Sequence, residues 1–485
     1  MNKKQISKRN RFFTWTWQGC LLLGAAGFLT TSCASDGFTD ESFVSGNGVT
    51  NTQLVSPSVD DITITPSADG SKQTIAWPVV NGAGGYQAIL TNLTTEEVMV
   101  DSIIDGLSFI VDREEDTNYQ LNIMVLGNEK LGNTAGEVTT KLFDTFSPTF
   151  GTIDEDDIYE YFQKNPLPTE PTGKELCFDL TPGGNYTLSK TVDFGGHRVT
   201  LRSKSKTEHA KITLEEGSTF SSFAGMSLKY LDIDADNTSY SVITMSEEPN
   251  DSIKDKIETK GWYFVYEPIT IQGCNIRSLG TSLIATKTVK YNLRSVTVTD
   301  CVIEINGNAT KKNSNAFIYM NAGYITDFIV KNSTIYSKEH NEKFFIQHKN
   351  RPADLNKTEL RNVTITNCTL ANLAWNKNFC DYHNGQTTQS YTLLNSIILD
   401  CGKVNFVTGL NKGQSSANPT WNIDNNTYWR EGQDVSESQT GYTNNKGADT
   451  KLTTDPEIDP ATEDFVPATA QQEAKQGDPH WYTTE

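Results

Sequence analysis

Residues 346–357 read IQHKNRPADLNK, a short basic stretch in which Lys349 and Arg351 follow His348. Eliminating the leaving oxygen of a uronate requires a base for the proton beside the carboxylate and a cation to hold the carboxylate charge. Lys349 and Arg351 have the right types for base and charge, with His348 and His383 on adjacent strands; a solvated basic loop is the other reading. Asp232, Asp234 and Asp236 in LDIDADN recur every second residue, which on a strand puts them on one face. Three such carboxylates could hold Ca2+, or simply face solvent; the spacing is not that of an EF-hand. Gln347, Asp381, Tyr382, Trp375 and Trp421 have the types that hydrogen-bond and stack on sugar rings, although late aromatics also seal the end of a repeat stack. No protease triad, phosphate loop or dinucleotide fingerprint stands out.

What positions these residues is a repeated phrase. ITIQGCNI (269–276), VTVTDCVI (296–303), FIVKNSTI (328–335), VTITNCTL (363–370), YTLLNSII (391–398) and WNIDNNTY (421–428) share one register, with LKYLDI (228–233) as a weaker copy. The fifth letter is Gly, Asp or Asn in every full copy, the residues that tolerate a left-handed backbone and let a chain turn in one step. Apolar residues alternate before it, and a small residue follows. Such units cannot bury their apolar faces alone and must stack. Copies 27 to 35 residues apart predict a parallel β-helix, each phrase being the corner of one coil. Coils about 4.8 Å apart place the aspartates about five coils, roughly 20 Å or more, from Lys349, too far for one compact eliminating site.

The strand before each corner is predicted at NAFIYMN (315–321), KFFIQHKN (343–350), KNFCDYHN (377–384) and KVNFVTGLN (403–411), with Phe317, Phe345, Phe379 and Phe406 in one column. If the phenylalanines face inward, strict alternation turns Tyr319, Gln347, Asp381 and Thr408 inward too. If they face outward, Ile318, Ile346, Cys380 and Val407 fill the core. Sequence leaves both open. Cys274, Cys301 and Cys368 share a column with Ser333 and Ser396, as interior small residues do, and no short metal-type spacing occurs. Buried thiols are therefore expected over disulfides or metal ligands.

Residues 54–145 read as seven short strands, and IDEDDIYEYFQKN (153–165) as a helix. Residues 1–33 combine a basic start, an apolar run from Cys20 to Leu29 and small residues before Cys33; residues 34–53 form a polar tether. A net charge of −19 argues against nucleic acid as partner.

The first 33 residues resemble a bacterial lipoprotein signal, which implies lipidation at Cys33 and a membrane anchor. Trp77, Tyr86 and Tyr119 resemble the core aromatics of a fibronectin type III module, which implies a spacer. The asparagine-rich corners and the stretch GGNYTLSKTVDFGGHRVTLR resemble right-handed pectate-lyase-like β-helices; the Arg351–Pro352 pair resembles part of that family's arginine–proline motif, with Lys357 at a different spacing from its second arginine. Together these resemble surface lipoproteins of Bacteroidota associated with polysaccharide utilisation. The expectation is an all-β protein: a sandwich over 54–145, then a β-helix over 150–485 with a capping helix and a C-terminal cap. The resemblance implies an outer-membrane, cell-surface protein that binds a pectin-like polysaccharide. A lyase or hydrolase acting on uronate-containing glycan, with Ca2+ as its cation, and a structural or adhesive role are the alternatives.

Overall fold

The computed structural model of the chain describes residues 49–254, 261–306, 315–349, 361–382, 389–403, 406–411, 419–432 and 452–483. The first seven strands make two antiparallel sheets. One holds Thr63–Pro66, Lys72–Ala76 and Ser108–Asp112; the other runs in the order Glu97–Ile104, Tyr86–Asn92, Asn118–Val125, Thr139–Asp144. Asn118–Val125 alternates half-buried and buried, so one face packs Tyr119, Leu121 and Ile123 with Trp77 and Tyr86. The Glu114 amide donates to the Tyr119 hydroxyl oxygen at 3.1 Å, which ties the start of that strand to the preceding turn.

From Thr149 onward every described strand ladder is parallel, and the chain winds as a β-helix. The phrases pair in the register read from sequence: Ile269 with Val296, Val296 with Phe328, Phe328 with Val363, Val363 with Tyr391, and Tyr391 with Trp421. The corner residues Gly273, Asp300, Asn332, Asn367, Asn395 and Asn425 all have φ between 47° and 59°. Their side chains form a ladder. Asn332 donates to Asp300, Asn367 to Asn332, Asn395 to Asn367 and Asn425 to Asn395, at 2.8–3.2 Å. Each such bond contributes about 1 kcal/mol net. Inside the corner the next column is buried, and its side chains bond forward: the Cys301 amide donates to Ser333 Oγ and the Cys368 amide to Ser396 Oγ. All six described cysteines are free and buried.

Tyr230 continues the corner column one coil earlier, at φ 57°. Its ring lies where a Cβ on Gly273 would stand, 2.6 Å from the ideal position, so that corner must be glycine. The Tyr230 hydroxyl donates to Asp116 of the sandwich at 3.0 Å, and Lys229 pairs with the same carboxylate at 2.8 Å. Buried Arg202 donates to Asp179 and to the Ser147 carbonyl in the connecting segment. The sandwich is thus docked on the first coils.

Helix α1, Ile158–Lys164, is capped by Asp157 and buries Ile158, Tyr161 and Phe162 over the first coils. The structure corrects the reading of 403–411 as a strand: Phe406–Leu410 is helical (α2). Among the described residues the seven-stranded sheet ends at Cys380–Tyr382, and a helical turn lays Phe406, Val407 and Leu410 on the core beyond it. Gly409 permits the approach, since a Cβ there would meet the Phe379 amide nitrogen at 2.9 Å. A third helix, α3, spans Thr469–Glu473 in a C-terminal arm, residues 452–483, that folds back over the coils.

Candidate functional site

The strands Ile318–Met320, Ile346–His348 and Cys380–Tyr382 pair in register. Phe317, Phe345 and Phe379 sit at the bend just before them and stack at 4.6–5.0 Å between rings, with Phe406 continuing the pile at 4.6 Å. The bend breaks strict alternation, so the phenylalanines and Ile318, Ile346 and Cys380 are all interior. Gln347 and Asp381 are left half-buried in the outward column, with Gln347 Nε2 donating to Asp381 Oδ2 at 2.9 Å.

This geometry corrects several sequence-based expectations. His348 points inward, 5% exposed, with its ring edge against Tyr382; burial and then the Arg361 charge push its pKa well down. It is a neutral core imidazole. Lys349, the next residue, faces out over the Tyr319 ring at 5.0 Å, because neighbouring residues on a strand take opposite sides. Tyr382 and Trp421 are buried, the latter stacked on Tyr391 at 4.7 Å, so neither can receive a sugar. Trp375 is sandwiched: the His340 ring lies parallel to it at 3.7 Å and the Arg430 guanidinium stands 3.7 Å from its centre. Two groups that close to one ring centre occupy opposite faces, and none remains for a ligand. Arg351, His383 and Cys33 lie outside the described residues. The aspartate triplet does not converge as a cation site. Asp232 accepts from Asn275 at 2.8 Å and pairs with His209 at 2.9 Å, while Asp234 accepts the Asp236 amide; among the described residues no group of three or more His, Cys, Asp or Glu could hold a metal.

Asp232 instead lies in the wall of an open trough. On the outer face of the coils after each corner, one column runs Asn185, Lys211, Asp232, Asn275, Val302 through successive parallel pairings. Two adjoining hollows of 420 and 390 Å3 lie along it and share Asn275. The first is lined by Asn185, Lys211, Asp234 and Arg277; the second by Lys206, His209, Tyr230, Asp300 and His480. His209 Nε2 also faces the Lys206 carbonyl at 3.1 Å, and Lys206 reaches Thr117 of the sandwich at 3.2 Å, so the sandwich braces one flank. The hydrogen bond from His209 holds the Asp232 carboxyl below its ordinary pKa, against a desolvation that would raise it. Asp232 is therefore an ionised acceptor near neutrality and poorly suited to general-acid work. The column offers amide, ammonium and carboxylate groups in a row at the coil spacing, with the His209 and His480 imidazoles and the Arg277 guanidinium beside it, groups suited to hydrogen bonding with hydroxyls.

Sequence reasoning singled out Asp232 and Asp234, as Ca2+ ligands or solvent-facing residues, and missed His209, Asn275 and His480. The pairing register, extended one place past the corner, would have aligned Lys211, Asp232 and Asn275; nothing local signals that His480 arrives there.

Three family models match the chain in succession, each described as a domain of unknown function, over residues 7–182, 184–338 and 363–481. The first spans the sandwich together with the first coil. No curated protein matches. Among solved structures, the Family 28 exopolygalacturonase of Yersinia enterocolitica is similar at 8% identity and a TM-score of 0.21, over 79% of this chain and 92% of that one. A likeness at that level carries no argument about function, and the β-helix stands on its own strand pairings.

Proposed function

We propose that the protein is a lipid-anchored surface protein that binds an oligosaccharide segment of a polysaccharide in the trough, without cleaving it. The observation that carries this reading is the open column from Asn185 to Asn275, flanked by hydrogen-bonding side chains and two continuous hollows. Stacked coils repeat about every 4.8 Å, which lays polar groups along a ligand at regular steps. The lipoprotein-like first 33 residues support an anchor at Cys33 in the outer membrane. The two-sheet topology and the Tyr119 tie support a fibronectin type III-like module, here holding Lys206 beside the site as well as serving as a spacer. Binding is favoured over elimination because His348 is interior and the lowered pKa of Asp232 leaves its carboxylate a weak base for proton abstraction.

The test is a binding screen of the mature protein against sodium polygalacturonate, linear galactan, linear arabinan and xylan, by calorimetry and by affinity electrophoresis. Retardation by at least one glycan, abolished by Asp232→Ala with Asn275→Ala, is expected. Release of unsaturated products, read by ultraviolet absorbance, would replace the binding reading with a lyase.

A further inference from the structure

The trough is a blind alley. Its column continues past Val302 through Thr334, Thr369, Ile397 and Thr427 in the same parallel register. Lys211 is exposed and Asp232, Asn275 and Val302 are half-buried, but from Thr334 onward every member is buried. What covers them is the C-terminal arm, which runs back along the column through Gln476, Gly477 and Asp478. Thr427 donates to Gln476 Oε1. Gly477 lies on Ile397, where a Cβ would come within 2.8 Å of its Cδ1. Thr334 donates to Asp478 Oδ2 at 2.8 Å, and the Asp478 amide donates to Thr369 Oγ1 at 3.1 Å. Gln476 also donates to Asn425, the last asparagine of the corner ladder.

The arm turns at the second hollow, and Thr483 bonds back to Gln472. His480 enters it on a hydrogen bond to Asp478 at 2.7 Å, and Trp481 anchors the tip by donating to Thr334 at 2.8 Å and packing on Phe465. Beside the tip, Glu463 pairs with Arg277 at 2.9 Å and with Lys338 at 2.8 Å, which pins the side wall. The opposite end, at exposed Asn185 and Lys211, is open.

Resting on the glycan-binding reading above, we propose that this trough receives the end of a glycan chain rather than its interior. An extended polymer laid along the coils would have to pass through the place the arm already fills. A chain terminus can enter from Asn185, run past Asp232 and Asn275, and stop against His480 and Asp300 beside Val302. Those two groups present an imidazole and a carboxylate acceptor to the terminal hydroxyls, which interior sugars lack in that position. From Asn185 to Val302 the open column has four coil spacings, about 19 Å, so a short oligosaccharide fills it.

The experiment is stoichiometry against length. For whichever of polygalacturonate, galactan, arabinan or xylan binds in the screen, size-fractionated polymers and their defined oligomers are titrated by calorimetry and by sedimentation. One protein per chain at all polymer lengths, with oligomer affinity reaching a plateau once the trough is filled, is expected. Proteins bound in proportion to chain length would overturn chain-end recognition while leaving glycan binding intact. No binding by any of the four would overturn both. Removing residues 477–485 should convert binding to the length-proportional form. Where that variant melts non-cooperatively, Trp481→Ala with His480→Gly takes its place; unchanged one-per-chain binding in a folded, arm-loosened variant overturns the role given to the arm.

Discussion

The two halves of the outer column differ in what covers them, not in how they are built. From Asn185 to Val302 and from Thr334 to Thr427 the strands pair in the same parallel register. Up to Asn275 the first half carries ionic and amide side chains that are exposed or half-buried. The second carries hydroxyls and an isoleucine, buried under Gln476, Gly477, Asp478 and the rest of the arm. The corners divide similarly. Later coils use an asparagine ladder, whereas the earlier ones use Tyr230 and Gly273, where the sandwich supplies the bonding through Asp116. A repeat fixes the scaffold, and the segments laid on it decide which part recognises a ligand.

That contrast can be broken most severely in the ladder. Asn367 sits at φ 53° and bonds to both neighbours, so Asn367→Ala should lose about 1–2 kcal/mol to left-handed strain and about 1 kcal/mol for each bond. Asn367→Gly should keep the backbone and lose only the bonds; urea unfolding of both variants separates the two contributions. Next comes the arm. Asp478→Asn removes a buried carboxylate that accepts from Thr334 and His480, and should cost about 2 kcal/mol, read as faster hydrogen exchange at Thr334 and Thr369.

The same pair sets a pH dependence. The hydrogen bond to Asp478 raises the His480 pKa, so its contribution is complete below the unfolded value of about 6.5. It is lost as the pH rises through the elevated folded value. Arm protection should fall across that window, and His480→Gln should flatten the profile. A smaller effect is expected in the open half. Asp232→Asn should weaken the ligand about tenfold, or about 1.4 kcal/mol. Because its folded pKa is lowered, the contribution of Asp232 persists above the ordinary carboxylate range and fades as the pH falls through the folded value. The smallest effect belongs to Lys349→Ala, on the outer face of another sheet: under about 0.5 kcal/mol, and no change in binding.

The coil register was legible to the residue because the left-handed corner is written in side-chain types: few residues besides glycine, asparagine and aspartate turn there cheaply. Tyr230 escaped that pattern, since its strain is met by a partner more than a hundred positions earlier, Asp116. The phenylalanine column defeated a parity argument because a bend, invisible in alternation, turns two consecutive residues inward. The aromatic candidates misled for a related reason: Trp375 and Trp421 have a sugar-binding composition, yet His340, Arg430 and Tyr391 already occupy their faces. The trough was half legible. Its floor follows from the register, while its end wall arrives from His480, whose position no local pattern encodes.

The returning arm also has a consequence for the order of assembly. Gln476 and Asp478 are synthesised after every coil they fasten, so Thr334, Thr369 and Thr427 must wait, hydrated, until that segment has emerged. The coils can stack from the first turn onward, but the clasp closes only after them, and until then the future binding face and its sealed continuation are one uninterrupted wet surface.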